Sequence, residues 1–393
     1  MVTQFRSVYI AFDQHPSYKG ASTHISHMCK VLSESYGPTL LLTIEGPLTK
    51  IDNERIKQLC FTSEEENVLK RALLFSAWVK EVLEQQHNLV VGHFRDVWGG
   101  MAVLASPHIL PIYEVNGLPS MEWPYRYPNL TKATLEKLKH LEDRCLKEAS
   151  LVLTPSHVIK SHLVSRRVTA EKIKVLSNGA DLPLSSSPRT ISGDYILYFG
   201  ALQAWQGLDV LLKAMRYLED KVNLKLVICA SHTEHHCKAF RKFAEKIGVS
   251  ERIEWRYQLD KDALHEIIQH AYVSIAPLTE CSRNLEQGCS PLKIFESMAC
   301  ATPVIASDLP VVREIIEHNQ NGILIRPGRP AELARAIRIL SDYPDLRETL
   351  SENAKQTIVD QFTWDKIEAD LAKLYNQVYN FSFGYSKNNY RYG

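Results

Sequence analysis

No apolar run in this chain approaches the length of a bilayer span; the longest, such as Thr39 to Ile44, are far too short, and no membrane-crossing helix is expected. Charge of one sign is equally scarce. Lys plus Arg number 46 against 45 Asp plus Glu, a formal net charge of +1, so no global attraction to nucleic acid or to an anionic membrane is expected. The cysteines Cys29, Cys60, Cys145, Cys229, Cys237, Cys281, Cys289 and Cys300 form no C-x-x-C pair and read as reduced, mostly buried thiols. Met1 to Ile10 lacks a long apolar stretch before a small-residue cleavage site, so no secretory signal is expected and the protein reads as cytoplasmic. What remains is globular: 393 residues, 45% hydrophobic and 23% charged, exclude disorder and provide for two domains.

Short apolar runs alternate with amphipathic segments. Val8 to Phe12, Leu40 to Ile44, Leu89 to Phe94, Ile109 to Val115 and Leu151 to Thr154 read as strands in the first half. Leu197 to Phe199, Leu224 to Cys229, Ile253 to Tyr257, Val273 to Ala276, Pro303 to Ala306 and Ile323 to Ile325 follow in the second. Several carry continuous apolar character rather than strict alternation, which suits strands buried on both faces of a parallel sheet. In Thr131 to Leu146, Leu135, Leu138, Leu141 and Cys145 recur at helical spacing. The alternation predicts a doubly wound α/β architecture. Asp181 to Gly193, rich in Ser and Pro and without periodicity, reads as a linker. The expected division is a first domain over 1–182, a second over 193–362, a helix over 363–380 that returns to the first domain, and a loosely held tail over 381–393. Two such sheets facing each other leave a cleft, with ligands beyond the carboxyl ends of the strands.

Gly288-Cys-Ser-Pro-Leu-Lys-Ile-Phe-Glu296 carries the strongest chemical signal. Ser290 suits a helix cap and Pro291 the first helical position, so Leu292 and Lys293 would offer free backbone N–H groups to an anion. Glu296, three residues after Lys293, either grips a ribose diol or pairs with the lysine. Gly20, after the opening strand, either lets backbone approach a phosphate or sugar or makes a plain turn. His93, Arg95 and Asp96 follow one buried strand; Glu114 and Asn116 follow the next. A carboxylate there could accept a proton from a bound hydroxyl, or pair structurally with Arg95 across neighbouring strands. Trp123 and Tyr125 form either an acceptor wall or a core cap.

Asn284 to Asp308 closely resembles the donor-binding signature of the family 4 retaining glycosyltransferases, in an S-P-x-K-x-x-E variant. Tyr18-Lys-Gly-Ala-Ser-Thr-His24 is similar to their first glycine loop, Val175 to Asp181 to their end-of-domain motif, and Tyr198 to Asp209 to the loop opening their second domain. The resemblance implies the GT-B fold: two facing Rossmann-like doubly wound parallel sheets with an interdomain cleft. It implies transfer of a sugar from a nucleotide diphosphate sugar to a hydroxyl-bearing acceptor, with retention, without metal and without a cofactor. Glu296 is then assigned to the ribose, and Lys293 with Arg283 to the diphosphate. Gly20, Gly288, Ser290, Pro291 and Leu292 complete the donor side. Glu114 and His93 are candidates near the reacting hydroxyl, with Arg95, Asp96, Asn116, Trp123 and Tyr125 on the acceptor side. Two departures accompany the likeness. The first acid of the family's pair falls on Gly288, and the usual diphosphate-binding Arg and Lys fall on Ala201 and Gln206.

Three other patterns read as structural. Asp260-Lys-Asp262 opens a helix over Ala263 to His270. His232, His235, His236 and Cys237 match no closed zinc spacing, and Glu64 to Glu66 open the helix running to Leu83. Nucleotide-sugar epimerisation, phosphorolysis, a two-lobed sugar-binding protein and a non-catalytic subunit are the rival functions. The basic stretch Lys160 to Lys174 offers either a peripheral contact with an inner membrane surface or a solvated helix face.

Overall fold

Apolar runs bounded by turn residues set thirteen strands among the described residues of the computed structural model, which are 4–183, 188–220 and 224–384. They divide into two units. Residues 4–17, 21–177 and 367–384 form the first; 18–20, 178–183, 188–220 and 224–366 form the second.

The first unit holds β1 (Ser7–His15), β2 (Thr39–Glu45), β3 (Ile56–Phe61), β4 (Val91–Phe94), β5 (Leu110–Glu114), β6 (Leu151–Thr154) and β7 (Ile173–Val175). All pair parallel, in the order β3-β2-β1-β4-β5-β6-β7. Helices α1 (Gly20–Tyr36), α2 (Val68–Glu84), α3 (Val97–Leu104), α4 (Pro119–Arg126), α5 (Lys132–Glu148) and α6 (His157–Ser165) connect them. Strands β4 and β6 are buried along their whole length, as both-face coverage requires.

The second unit holds β8 (Tyr195–Gly200), β9 (Lys225–Ala230), β10 (Ile253–Tyr257), β11 (Val273–Ala276), β12 (Val304–Ser307) and β13 (Ile323–Ile325), parallel in the order β10-β9-β8-β11-β12-β13. Its helices are α7 (Leu208–Arg216), α8 (Glu234–Lys246), α9 (Lys261–Gln269), α10 (Leu292–Ala299), α11 (Pro310–Arg313), α12 (Pro330–Asp342) and α13 (Pro344–Thr357). A last helix, α14 (Trp364–Tyr379), belongs from Ile367 onward to the first unit. Both sheets are thus Rossmann-like, and the α/β reading is met. Strand order reverses between β1 and β4 in one sheet and between β8 and β11 in the other, so the loops after these strands are the places for ligands. No described helix is long and apolar enough to cross a membrane.

Several local expectations need correction. Strands β3 and β7 were not anticipated: Lys57 and Lys174 interrupt apolar runs that are only six and three residues long. Glu64 to Glu66 precede α2 rather than opening it. Asn67 caps the helix, accepting from the N–H groups of Leu69 at 3.0 Å and Lys70 at 3.2 Å, and Glu65 accepts from Asn67 N at 2.9 Å. The stretch read as a linker is anchored at its end. Thr190 donates from backbone and hydroxyl to Glu266, and Ile191 is buried in the second core. Residues 184–187 of that stretch and 385–393 of the tail lie outside the described residues.

Candidate functional site

In the second unit, the loop after β8 and the segment after β11 are sewn together. Gly207 makes this possible: at φ +70° a Cβ there would lie 1.8 Å from Pro277 O, so only glycine fits. Thr279 N donates to Trp205 O at 3.0 Å. The fully buried Asn284 donates from Nδ2 to Trp205 O at 3.0 Å and Thr279 O at 2.7 Å. Arg283 lies in a single wide turn, Arg283–Gln287. Its guanidinium sits 5.2 Å over the Trp205 ring and donates to Asn284 Oδ1 at 3.2 Å. Ala201 contributes only its carbonyl, which accepts from Tyr198 OH at 2.8 Å. The Gln206 Oε1 is buried without a hydrogen-bond partner.

Helix α10 begins at Leu292, with Pro291 as the residue before the first turn rather than within it. Ser290 does not cap it. Its Oγ accepts instead from Asn178 N at 3.2 Å, and its carbonyl accepts from Asn178 Nδ2 at 2.6 Å. Without a side-chain cap, the first N–H groups of α10 have no side-chain acceptor of the helix's own. The preceding Gly288 stands at φ 77°, ψ −176°, a conformation open essentially to glycine.

Lys293 is buried, at 8% exposure, and points its Nζ over the Tyr198 ring at 4.0 Å from the centroid. Among the described residues that amine has no hydrogen-bond partner. Burial pulls its pKa down to about 7, against the opposing pull of Cys289 and Glu296. Glu296 is half-buried, and burial pushes its carboxyl up to about 7, with Lys261 and Lys293 holding it down and Asp181 adding to the rise. Lys261 is itself ion-paired with Asp181. Lys293 and Glu296 form no direct salt bridge among the described residues, so the reading of a simple helix pair fails.

In the first unit, Glu114 closes β5 and is 3% exposed. Its Oε1 lies 2.9 Å from His24 Nε2 and 3.5 Å from Arg95 Nη1; its Oε2 lies 3.0 Å from His93 Nε2 and accepts from Tyr9 OH at 2.7 Å. Asn116 Nδ2 donates to the same carboxylate. Burial alone would raise its pKa, but His24, Arg95 and His93 outweigh it and hold the carboxyl well below its ordinary range. Glu114 is therefore not the free proton acceptor expected from sequence. The ion pair with Arg95 exists, inside a larger cluster. Burial lowers the pKa of His93, which keeps its ring neutral. With Nε2 facing a carboxylate, its Nδ1 accepts from Tyr375 OH at 2.6 Å. The same α14 accepts at its Tyr375 carbonyl from Tyr36 OH at 2.8 Å, and its Glu368 meets His27 and Lys30.

Asp96 turns out to be structural. It caps α3, accepting from Trp98 N at 3.0 Å and Gly99 N at 2.9 Å, and accepts from Phe12 N at 2.6 Å. Burial lifts its pKa to about 6 against those bonds. Trp123 likewise belongs to the core: it is buried and stacks on Trp98 at 5.7 Å, while Tyr125 is exposed. Gly20 opens α1. Asp260 caps α9 by accepting from Ala263 N at 2.8 Å. His236 meets Thr233 at 2.8 Å, and Cys237 is buried. Among the described residues no three His, Cys, Asp or Glu groups converge as metal ligands would.

Sequence reasoning missed Tyr9, His24, Tyr198, Asn178, Asn284 and Tyr375. His24 and Asn178 lay within motifs already singled out, and Tyr198 within the loop opening the second domain. Tyr375 carried no signal of its own: it is fully buried on α14 alongside the apolar Ile367 and Leu371, where a tyrosine reads as one more core residue.

The Glycosyltransferase Family 4 model matches residues 18–183, and that of Glycosyl transferases group 1 matches 189–357. An uncharacterized glycosyltransferase of Methanocaldococcus jannaschii is 29% identical over 250 residues, covering 58% of this chain and 60% of that protein. A D-inositol 3-phosphate glycosyltransferase of Jonesia denitrificans is 28% identical over 233 residues, covering 53% and 52%. The chain thus spans little more than half the length of these curated relatives. Among solved structures, sucrose-phosphate synthase from Thermosynechococcus elongatus superposes with a TM-score of 0.78 at 16% identity, over 95% of this chain and 99% of that one. Anabaena HepE, in complex with UDP-glucose, gives 0.73 at 18% identity, over 94% and 99%. Residues 18–183 thus match the Glycosyltransferase Family 4 model and 189–357 that of Glycosyl transferases group 1, and the chain shares the Rossmann-like α/β fold of these solved structures.

Proposed function

We propose that this protein is a retaining, metal-independent glycosyltransferase that moves a hexosyl group from a nucleoside diphosphate sugar to an acceptor hydroxyl. The observation that carries the reading is Lys293: a buried amine without a hydrogen-bond partner among the described residues, at a helix start without a side-chain cap and after the strand at which the second sheet reverses order. Such a group is costly to bury unless an anion joins it, and a diphosphate fits that chemistry. Lys293 and the α10 N–H groups neutralise the leaving diphosphate, and Arg283, held over Trp205, adds charge beside them. Glu296 accepts hydrogen bonds from the ribose hydroxyls. In the first unit, the Glu114 cluster positions His93 and Arg95 for the acceptor side. The departing phosphate takes the proton of the attacking hydroxyl, so rate comes from positioning and from stabilising developing charge.

The test is a panel of nucleotide sugars with candidate acceptors, read as nucleoside diphosphate release and as the anomeric configuration of the product. Lys293→Ala is expected to depress turnover by at least about tenfold, and Glu296→Gln to raise the donor KM with less effect on turnover. Failure of every nucleoside diphosphate to bind refutes the reading.

A further inference from the structure

We propose that a nucleoside diphosphate binds the second unit together with a proton, taken up from solvent by the Lys293 amine as the phosphates arrive. This rests on the donor reading above and goes beyond it.

The argument starts from what surrounds Nζ. Its nearest partner is a ring face, that of Tyr198, whose hydroxyl is already committed to Ala201 O at 2.8 Å. Among the described residues no oxygen accepts a hydrogen bond from it. The titratable groups acting on it are Cys289 of the preceding loop and Glu296 one turn on; Lys261 of α9 and Asp181 act on Glu296 instead. Glu296, pushed up to about 7 by burial, is partly neutral near pH 7 and, even when ionised, forms no salt bridge with Nζ among the described residues. A ring face stabilises an ammonium by about 2 kcal/mol, whereas removing one from water costs several. The balance falls toward the uncharged amine, in line with a pKa of about 7. An arginine at this position would stay charged throughout; a lysine can discharge and recharge. Phosphate oxygens beside Nζ supply the missing counter-charge. The amine lone pair then takes a proton from the buffer acid, giving an ammonium paired with the ligand.

Isothermal titration of the full chain with UDP, GDP and ADP tests this, run at about pH 8.5 in two buffers of different ionisation enthalpy. At that pH both Glu296 and the terminal phosphate are already ionised, so neither contributes protons. The expected result is uptake of more than about half a proton per ligand bound, with affinity falling nearly tenfold per pH unit above about pH 8. Lys293→Arg should bind with little proton exchange and a flatter pH profile, and Glu296→Gln should keep the uptake. Should the arginine variant not fold, the parent nucleosides, which carry no phosphate, serve as the control: any binding they show should exchange no proton. Tight binding without proton uptake, or uptake unchanged in Lys293→Arg, overturns the linkage and leaves the donor reading standing. Absence of binding by all three nucleotides overturns both.

Discussion

Glu114→Gln is the sharpest test of the first unit. The carboxylate is almost fully buried, meets two imidazoles and a guanidinium within 3.5 Å, and accepts from the Tyr9 hydroxyl. The amide removes the negative charge while leaving Arg95 buried, with only the more exposed Asp13 at 3.7 Å as counter-ion. It also turns an NH2 group toward donors. Removing one partner of a buried pair costs about 3–5 kcal/mol, and one hydrogen bond to a charged group accounts for about 1.5–3 of that. The expected loss is therefore about 3–5 kcal/mol at neutral pH. Urea unfolding measures it, with hydrogen exchange of peptides from β1, β4 and β5 locating it in the first unit, because two units need not unfold together. The pH dependence has a definite sign. A carboxyl whose folded pKa lies below its ordinary 4.5 contributes stability that is complete above that value and fades as pH falls toward the folded one. The difference between parent and variant should thus be full near pH 7 and shrink below about pH 4.5. A loss under about 1 kcal/mol, or one that grows with acidity, would refute the view of Glu114 as the ionised centre of the cluster.

Asp96→Ala removes the cap of α3 and the acceptor of Phe12 N, so thermal stability should drop by about 2 kcal/mol with donor affinity unchanged; a raised acceptor KM at unchanged stability would return Asp96 to the acceptor side. Trp123→Ala should cost about 3–5 kcal/mol in denaturant titration, and a near-neutral result would mean the ring does not serve the core. Gly288→Glu installs an acid where the family pattern carries one. At φ 77°, ψ −176° it should instead destabilise by about 1–3 kcal/mol, and tighter donor binding in a titration would contradict that.

The two sheets were legible because parallel strands buried on both faces read as unbroken apolar runs. Val273 to Ala276 coincides with β11, which is buried along its whole length, and Pro303 to Ala306 overlaps the equally buried β12. The edges of the first sheet were harder. Strand β3 mixes Lys57 and Gln58 into its run, and Gln58 is there for a polar task, donating to His15 O and Thr43 Oγ1 at 2.7 Å each. Helix starts were misplaced for a similar reason. Several residues can cap, and the choice between Ser290 and a distant demand such as Asn178 depends on tertiary contacts that local spacing does not encode. The site followed the same division. Residues that touch the strand ends, His93, Glu114 and Lys293, could be placed by position alone. Their partners come from far along the chain: Tyr9 and Tyr375 stand 105 and 282 residues from the groups they bond.

The substitution of Ala201 and Gln206 for two cationic positions is the feature whose meaning changes most once the structure is in hand. Two fixed charges in the β8 loop would hold the site positive whether or not a ligand is there, and each would need its own desolvation offset. Here the charge that can change sits on a single amine over the neutral Tyr198 ring, whose hydroxyl donates to the Ala201 carbonyl. The helix start adds only about half a charge, and Arg283 stacks to one side on Trp205. Under the proposed linkage, a site of this kind carries the fixed charge of Arg283 at rest and gains a second only against an anion. Under the proposed function its grip on the donor should therefore weaken above neutral pH more steeply than that of an arginine-bearing loop, for which protonation never changes.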